Sequence, residues 1–429
     1  MTRSGPKKIL PKGEKRGQKK GRDFSNLRSA RVKFQQKLNC PIQRKCGSCS
    51  YVNESYPVLA AKKYKRAVEK IGEIISLENV RSIPLELSPE VKGYRTSVKL
   101  AVRKSSITGS LEIGLFSPGT HQIVSLEDCY IQHPEINKLV LSLKTLLVES
   151  GLSVYDEEKH EGVLRYILVR ISRSTKDLAI TFVVTNRSSY SQLREVAKRL
   201  KEAHPIACAF LNVNAEQTNR ITGLFSKKLI GQDTIKENLC YFDLRVSPLS
   251  FFQVNPWTAE KIYGRVEQLV GKTSRPGAVA WDLYCGIGIF SLVLMRQGYQ
   301  VVGVEENPHA LKDAEENAKR NFPSVVSCFK EEPVEKFIDS QTVSSGLFSK
   351  PEVVIVNPAR TGLDVAVIEK LLETKKKSPS LELVYVSCEA TTLARDLKLL
   401  TEGGFTLRQL ECFDMFPHTE KLEWLAILT

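Results

Sequence analysis

The run Trp281-Asp282-Leu283-Tyr284-Cys285-Gly286-Ile287-Gly288-Ile289-Phe290 decides the fold class. An apolar strand over 279–285 ends in glycines that open a helix over 289–296, so a ligand can approach the backbone closely at the strand's carboxyl end. The same rhythm continues as strand over 300–305, helix over 308–321, strand over 353–358, helix over 367–374, strand over 383–388 and helix over 392–400. Alternation of this kind predicts an α/β fold with a doubly wound, Rossmann-like sheet. Residues 407–413 and 422–428 read as strands joined by a connection too short for a crossover helix, so they are expected to be antiparallel.

Glu305, at the end of the next strand, can accept hydrogen bonds from both hydroxyls of a ribose, which points to a nucleoside-containing cofactor. A dinucleotide fits poorly, because Phe290 and Ser291 follow Gly288 where the pyrophosphate fingerprint wants a third glycine. S-adenosylmethionine has a ribose and no phosphate, and suits the pattern better.

Outward from this core, composition divides the chain of 429 residues. Residues 1–39 hold 13 Lys and Arg against Glu14 and Asp23, a net of +11 out of the chain's +15. Such a segment cannot bury enough apolar surface to fold alone, so it is expected as a basic flexible tail that gains affinity for phosphates by counterion release. Nothing in it is apolar enough for a signal peptide or a membrane span, which predicts a cytoplasmic protein. Residues 40–250 read as an α+β central domain with strands over 94–102, 111–116, 164–171 and 178–184. A helix lies over 57–75, and an amphipathic one carries Ile136, Leu139, Val140, Leu143, Leu146 and Leu147. The catalytic domain is expected over 251–429. Cys40, Cys46 and Cys49, with Cys129 downstream, supply four thiols that suit either zinc or an iron–sulfur cluster. Cys208, Cys240, Cys285, Cys328 and Cys412, in a chain without a secretion signal, read as core residues.

Five ordered segments resemble the RNA uracil-C5 methyltransferases: Phe251-Phe252-Gln253-Val254-Asn255, Asp282 to Gly286, Val386-Ser387-Cys388, Leu393-Ala394-Arg395-Asp396, and Asp414-Met415-Phe416-Pro417-His418-Thr419. The resemblance implies methylation of carbon 5 of an RNA uridine. That carbon is a poor nucleophile, so a thiolate, here Cys388, must first add to carbon 6. Arg395 is a candidate source of the positive charge that thiolate needs. A carboxylate must then remove the carbon-5 proton, and the family places that base at Glu423 in preference to Glu420. Contacts to S-adenosylmethionine are implied at Gln253, Tyr284, Ile289, Glu305, Glu332 and Asn357. A branch of the family also carries a 4Fe-4S cluster on the spacing of Cys40, Cys46, Cys49 and Cys129, with zinc as the alternative. That branch leans toward 23S rRNA over tRNA.

Two residues depart from the family pattern: Asn357 stands where Asp is usual, and Glu389 where Asn is usual. Tyr94, Arg95, Lys99, Arg103, Arg165, Tyr166, Arg170 and Phe251 mark the region expected to meet RNA through stacking and cationic contacts. An N6-adenine or glutamine methyltransferase is the nearest enzymatic rival, but Ala359 and Arg360 break its Asn-Pro-Pro motif. From another class comes a non-catalytic RNA-binding or ribosome-assembly factor. A monomer is the expected state, with no membrane and no protein partner.

Overall fold

The computed structural model describes residues 37–429 apart from Asn53, Asn79, Arg81, Ser106, Asn219 and 340–348. The basic tail expected over 1–39 thus falls, but for its last three residues, outside the described residues.

The chain begins with α1 (Gln43–Cys46), α2 (Tyr56–Gly72) and the two-residue strand β1 (Leu85–Glu86). The next elements are β2 (Ser97–Lys104), β3 (Leu111–Phe116), β4 (Ile123–Ser125), α3 (Pro134–Ser150), β5 (Leu164–Ile171), β6 (Leu178–Val184), α4 (Tyr190–Ala203), β7 (Ile206–Val213) and β8 (Phe225–Gly231). Their strands form one sheet in the order β4-β3-β2-β5-β6-β7-β8. Its β6–β7 pair is parallel and bridged by α4, whereas the other pairs are antiparallel. Val98, Leu100, Val102, Ile113, Ile167 and Val169 alternate onto one face, where they meet the apolar stripes of α3 and α4, among them Ile136, Leu139, Leu143, Leu193 and Leu200. The strand that sequence periodicity placed over 94–102 starts three residues later, because Tyr94 turns into the core and Arg95 only bridges to Gln132.

After the hairpin β9 (Ile235–Leu239) and β10 (Phe242–Val246), α5 (Pro256–Val270) leads into the second sheet. It comprises β11 (Val279–Leu283), α6 (Ile289–Arg296), β12 (Gln300–Glu305), α7 (Pro308–Asn321), β13 (Ser327–Glu331), α8 (Val334–Asp339), β14 (Pro351–Val356), α9 (Val365–Lys377), β15 (Glu382–Ser387), α10 (Ala390–Glu402), β16 (Leu407–Phe413) and β17 (Glu423–Leu428). The order is β13-β12-β11-β14-β15-β17-β16-β1. Only β17 runs against its neighbours, antiparallel to both β15 and β16. Strand order reverses at β11, which has β12 on one side and β14 on the other, so a crevice opens at its carboxyl end. The sheet is the Rossmann-like α/β arrangement that the alternation predicts.

One segment is used differently from the expectation that 40–250 forms a single unit. β1 pairs with β16 at the edge of the second sheet, and α2 packs on α10. Ile71 and Ile75 share a core with Trp281, Leu393 and Leu397. Helical periodicity tells which face of α2 is buried but not against what, and that partner lies more than 300 residues away. The join is polar as well. Lys63 is buried on α2 and donates to Asp414 Oδ1 at 2.6 Å and to Phe416 O at 3.2 Å. Burial holds the Lys63 amine below its usual range, and the adjoining Asp414 opposes that shift.

Removing one partner of a buried ion pair strands the other charge, which costs about 3–5 kcal/mol. Lys63→Met is therefore expected to lower the unfolding free energy by about that amount in urea titrations followed by tryptophan fluorescence. The double variant Lys63→Met/Asp414→Leu should regain most of the loss.

Candidate active site

The carboxyl end of β11 is shaped by backbone that few residue types adopt. Tyr284 has φ 63°, and Gly286 and Gly288 have φ 55° and 83°. At Gly288 no side chain fits, since an added Cβ would lie 2.9 Å from Ala314 Cβ on α7. Ile289, the first residue of α6, is buried beneath this turn. Asp282 is fully buried and accepts from Ser291 Oγ at 2.6 Å, which ties strand to helix. Its burial raises the carboxyl to about 7 against the opposing Ser291 hydrogen bond.

Glu305 ends β12 beside this turn. Its Oε2 accepts from Gly286 N and its Oε1 from Asn307 N, both at 2.9 Å, so the carboxylate is oriented before any ligand arrives. Burial nevertheless leaves its pKa above the ordinary value, with those two N–H groups opposing. Tyr284 donates through Oη to Glu335 Oε1 at 3.0 Å. Glu335 on α8 thus bonds directly to a residue of the crevice, a contact with no signal in the sequence, while Glu332 sits half-buried at the bend before α8. Asn357 follows β14 and donates its backbone N–H to Leu283 O at 3.3 Å. Gln253 is half-buried in the loop before α5, where Thr96 N donates to the neighbouring Val254 O at 2.9 Å. Asn255 Nδ2 donates to Met415 O at 3.0 Å, tying this loop to the connection between β16 and β17.

Cys388 follows β15, and Glu423 opens β17. The antiparallel register pairs Ser387 with Trp424, so Cys388 and Glu423 take the adjoining positions at the edge where the crevice lies. Glu423 is 2% exposed, and burial raises its carboxyl to about 8. Cys388 is half-buried. Its thiol is pushed up by burial and by the Glu423 charge, and the nearby positive charge of Arg360 opposes that shift. The cation beside the thiol is thus Arg360 and not Arg395. Arg395 is committed to Asp396 Oδ1 and to the carbonyls of Thr361 and Leu363, and so holds the loop that presents Arg360. Nothing in the linear sequence distinguishes the two arginines, but the parallel pairing of β14 with β15 does.

Glu389, one of the departures from the family pattern, forms an ion pair with Lys421 and ties the residue after Cys388 to the stretch just before Glu423. Glu420 is exposed and accepts from Tyr51 Oη at 3.0 Å, away from the buried edge.

The four cysteines Cys40, Cys46, Cys49 and Cys129 line one cavity of about 30 Å³, together with Leu38, Ile42 and Arg95. Cys49 is raised to about 12 by burial and then by the three other thiols. Among the described residues no group of three or more His, Cys, Asp or Glu side chains is disposed to hold a metal ion.

Several residues expected to meet RNA serve the fold instead. Tyr94 is fully buried and donates to Pro417 O at 2.9 Å. Arg165 donates to Asn214 O and Glu216 O, and Arg170 to Ser247 O; both are buried. Arg103 forms an ion pair with Glu157. A strand pattern shows that a cation alternates with apolar neighbours but not that it satisfies carbonyls behind the sheet. Phe251 remains 64% exposed. Lys99, Phe116, His121 and Tyr166 line an open groove of about 600 Å³ on the face of the first sheet away from α3. Among the described residues no helix is long and apolar enough to cross a membrane.

The model of the tRNA (uracil-5-)-methyltransferase family matches residues 87–429. An uncharacterized RNA methyltransferase of Oceanobacillus iheyensis is 34% identical over 386 residues, covering 90% of this chain and 81% of that protein. Another from Halalkalibacterium halodurans is 32% identical, covering 91% and 82%. Among solved structures, the tRNA (uracil-54, C5)-methyltransferase of Pyrococcus abyssi in complex with S-adenosyl-L-homocysteine superposes with a TM-score of 0.68 at 24% identity, covering 88% of this chain and 84% of that one.

Glu423 gives a test of the buried edge that needs no substrate. Its folded pKa is raised from 4.5 to about 8, so its contribution to stability is fully present below pH 4.5 and is lost as pH rises through 8. Between pH 5 and 8.5 the protein is expected to lose on the order of 3–5 kcal/mol that Glu423→Gln does not lose. Calorimetry at the two pH values should show the variant gaining melting temperature over the parent at the higher one.

Proposed function

The chain belongs to the tRNA (uracil-5-)-methyltransferase family, and on that footing we propose that it methylates carbon 5 of a uridine through a covalent Cys388–uracil adduct. One observation carries the reading: a half-buried thiol with a guanidinium beside it adjoins a buried carboxyl, at the carboxyl edge where Tyr284, Glu305 and Asn357 converge. S-adenosylmethionine, held by residues at the carboxyl ends of β11 and β12, would supply an electrophilic methyl group. Glu305 would accept from its ribose, while Tyr284, Ile289, Gln253, Asn357 and Glu332 would line the rest of its site.

Arg360 stabilises the Cys388 thiolate, which adds to carbon 6 and moves the ring's electron pair into an enolate. Carbon 5 then attacks the methyl carbon, whose bond to sulfur breaks. A Glu423 carboxylate takes the proton from carbon 5, the 5,6 double bond re-forms, and the thiolate leaves. A raised pKa makes Glu423 a stronger base than an exposed carboxylate, at the cost of being largely protonated at neutral pH before RNA arrives. The target base must leave its stack to reach this edge. Phe251 and the groove of Lys99, Phe116 and Tyr166 supply the aromatic and cationic surface that unpaired RNA needs.

We assign the four cysteines a 4Fe-4S cluster over a lone zinc. The four surround one cavity and their spacing suits either metal; the choice rests on the resemblance to the cluster-bearing branch of the family. The iron ions would supply positive charge to the four thiolates, and the cluster would brace the base of the central domain. The cysteine set favours 23S rRNA as substrate, with tRNA as the second reading raised by the family's description. The reaction is placed in the cytoplasm, with the chain acting as a monomer.

Nucleoside mass spectrometry on unmodified 23S rRNA and tRNA, each incubated with protein and S-adenosylmethionine, is expected to reveal 5-methyluridine in the ribosomal fraction. Its appearance only in tRNA would reverse the substrate assignment. Cys388→Ala should retain cofactor binding by calorimetry and lose at least a thousandfold in turnover, and an active alanine variant would sink the mechanism. The turnover rate of the parent should rise with pH and level off near the Glu423 value of about 8.

A further inference from the structure

The connection between β16 and β17 delivers Glu423 to the edge, and it is held at almost every residue by side chains from elsewhere. Asp414 and Phe416 O are bound by Lys63, and Met415 O by Asn255. His418, in the left-handed region at φ 67°, is fully buried and bonds through Nε2 to Val91 O at 3.1 Å. A β-carbon in that region is strained, so the conformation persists only because the surroundings over-determine it.

Two of these anchors come from the shell of the cysteine-lined cavity. Tyr94 is fully buried, with its ring among Leu38, Val52 and Ile131, where Cys40, Cys49 and Cys129 pack against the same cluster. Its phenol leaves that cluster and donates to Pro417 O at 2.9 Å. Two residues after Cys49, Tyr51 N donates to His418 O at 3.3 Å. The backbone on either side of Tyr94 runs along the segment that follows Cys129: Gly93 N bonds to Tyr130 O and Arg95 N to Ile131 O. Trp257, in the same cluster, lies two residues from Asn255, the anchor of Met415 O. The cavity and the connection therefore share one packed cluster, through which the spacing of the cysteines bears on the Tyr94 ring and its hydrogen bond.

We infer that Tyr94 is a positioning residue that couples the cysteine-lined cavity to Glu423, so that the state of the four thiols sets the rate of proton removal from carbon 5 far more than that of thiol addition. The inference rests on the covalent reading above and separates its two halves. Cys388 follows β15 and its cation Arg360 follows β14, so both are placed by the parallel strands, and the 414–420 connection reaches the thiol only through the charge of Glu423. Glu423 does depend on that connection. Loosening it should leave the enzyme able to form and methylate the adduct but slow to release it.

The test uses the full-length protein with its cysteine site loaded, on two RNA substrates. With 5-fluorouridine in the target position, carbon 5 carries no proton to remove, so trapping reports only addition and methyl transfer. With uridine, release is included. Tyr94→Phe keeps the ring and deletes the donor. It is expected to trap fluorinated RNA at the parental rate, to turn over uridine RNA about three- to tenfold more slowly, and to raise the fraction of uridine RNA held as denaturant-resistant adduct. Iron content and visible absorption of Tyr94→Phe should match the parent. Cys129→Ser should show the same kinetic signature, and combining the two should add nothing beyond the larger single effect.

Equal loss on both RNAs, or loss with no rise in adduct, would assign Tyr94 to general stability and overturn the inference, as would full additivity of the two variants. Should Cys129→Ser not fold, hydrogen exchange at amides 415–420 in Tyr94→Phe decides: faster exchange confined to that connection is expected, and unchanged exchange overturns the coupling. If the parent traps no fluorinated RNA, the covalent reading itself fails and takes this inference with it, whereas trapping by the parent with no effect of Tyr94→Phe removes only the coupling.

Discussion

A parallel sheet gathers the carboxyl ends of its strands along one edge and sends their amino ends to the other, at least five residues of extended chain away. Two reactive groups at opposite ends of parallel strands could not meet. β17 resolves this by running backwards between β15 and β16, which brings its first residue to the edge where the other strands finish. That reversal makes Glu423 the neighbour of Cys388, and it places the carboxyl where little water reaches it. The raised pKa of Glu423 therefore follows from topology and needs no charged neighbour to explain it.

The reversal has to be held in register, and the structure commits side chains from three separate parts of the sequence to doing so. Lys63 reaches in from α2, Tyr51 and Tyr94 from around the cysteine-lined cavity, and Asn255 from the loop that carries Gln253. Bonds to main-chain carbonyls are well suited to this work, because they specify a path for the backbone whatever side chains it carries. Glu389 and Lys421 add a charged tie directly across the pair. The substitution of Glu for the usual Asn after the nucleophile thus has a partner, whereas Asn357 in place of Asp has no comparable account in its surroundings.

Much of the second sheet was legible before any coordinates, because its signals are local: glycines after an apolar strand, a carboxylate at the end of the next, and a terminal strand pair with a short connection. The relation of Cys388 to Glu423 needed the family resemblance to suggest it and the register to supply its geometry. What escaped was long-range. α2 reads as an amphipathic helix with an awkward lysine, and only the fold reveals that Asp414 is its counter-charge. Arg165 and Arg170 resemble surface cations on strands until the carbonyls behind them are known. Arg360 and Arg395 differ in the partners that the fold gives them, and only the placement of α8 brings Glu335 to Tyr284.

The use of α2 and β1 in the far sheet also bears on how the chain is made. α2 leaves the ribosome about 350 residues before β17, which at ordinary elongation rates is a delay on the order of 20–70 s. Throughout that interval Lys63 and the apolar residues that pack on α10, Ile71 among them, lack their native partners, and the edge that β1 will cover does not yet exist. The first sheet can close meanwhile, since its strands are consecutive. The active-site half is then completed by folding back onto a segment that has been waiting since the start of synthesis, so the nascent chain cannot become active one domain at a time.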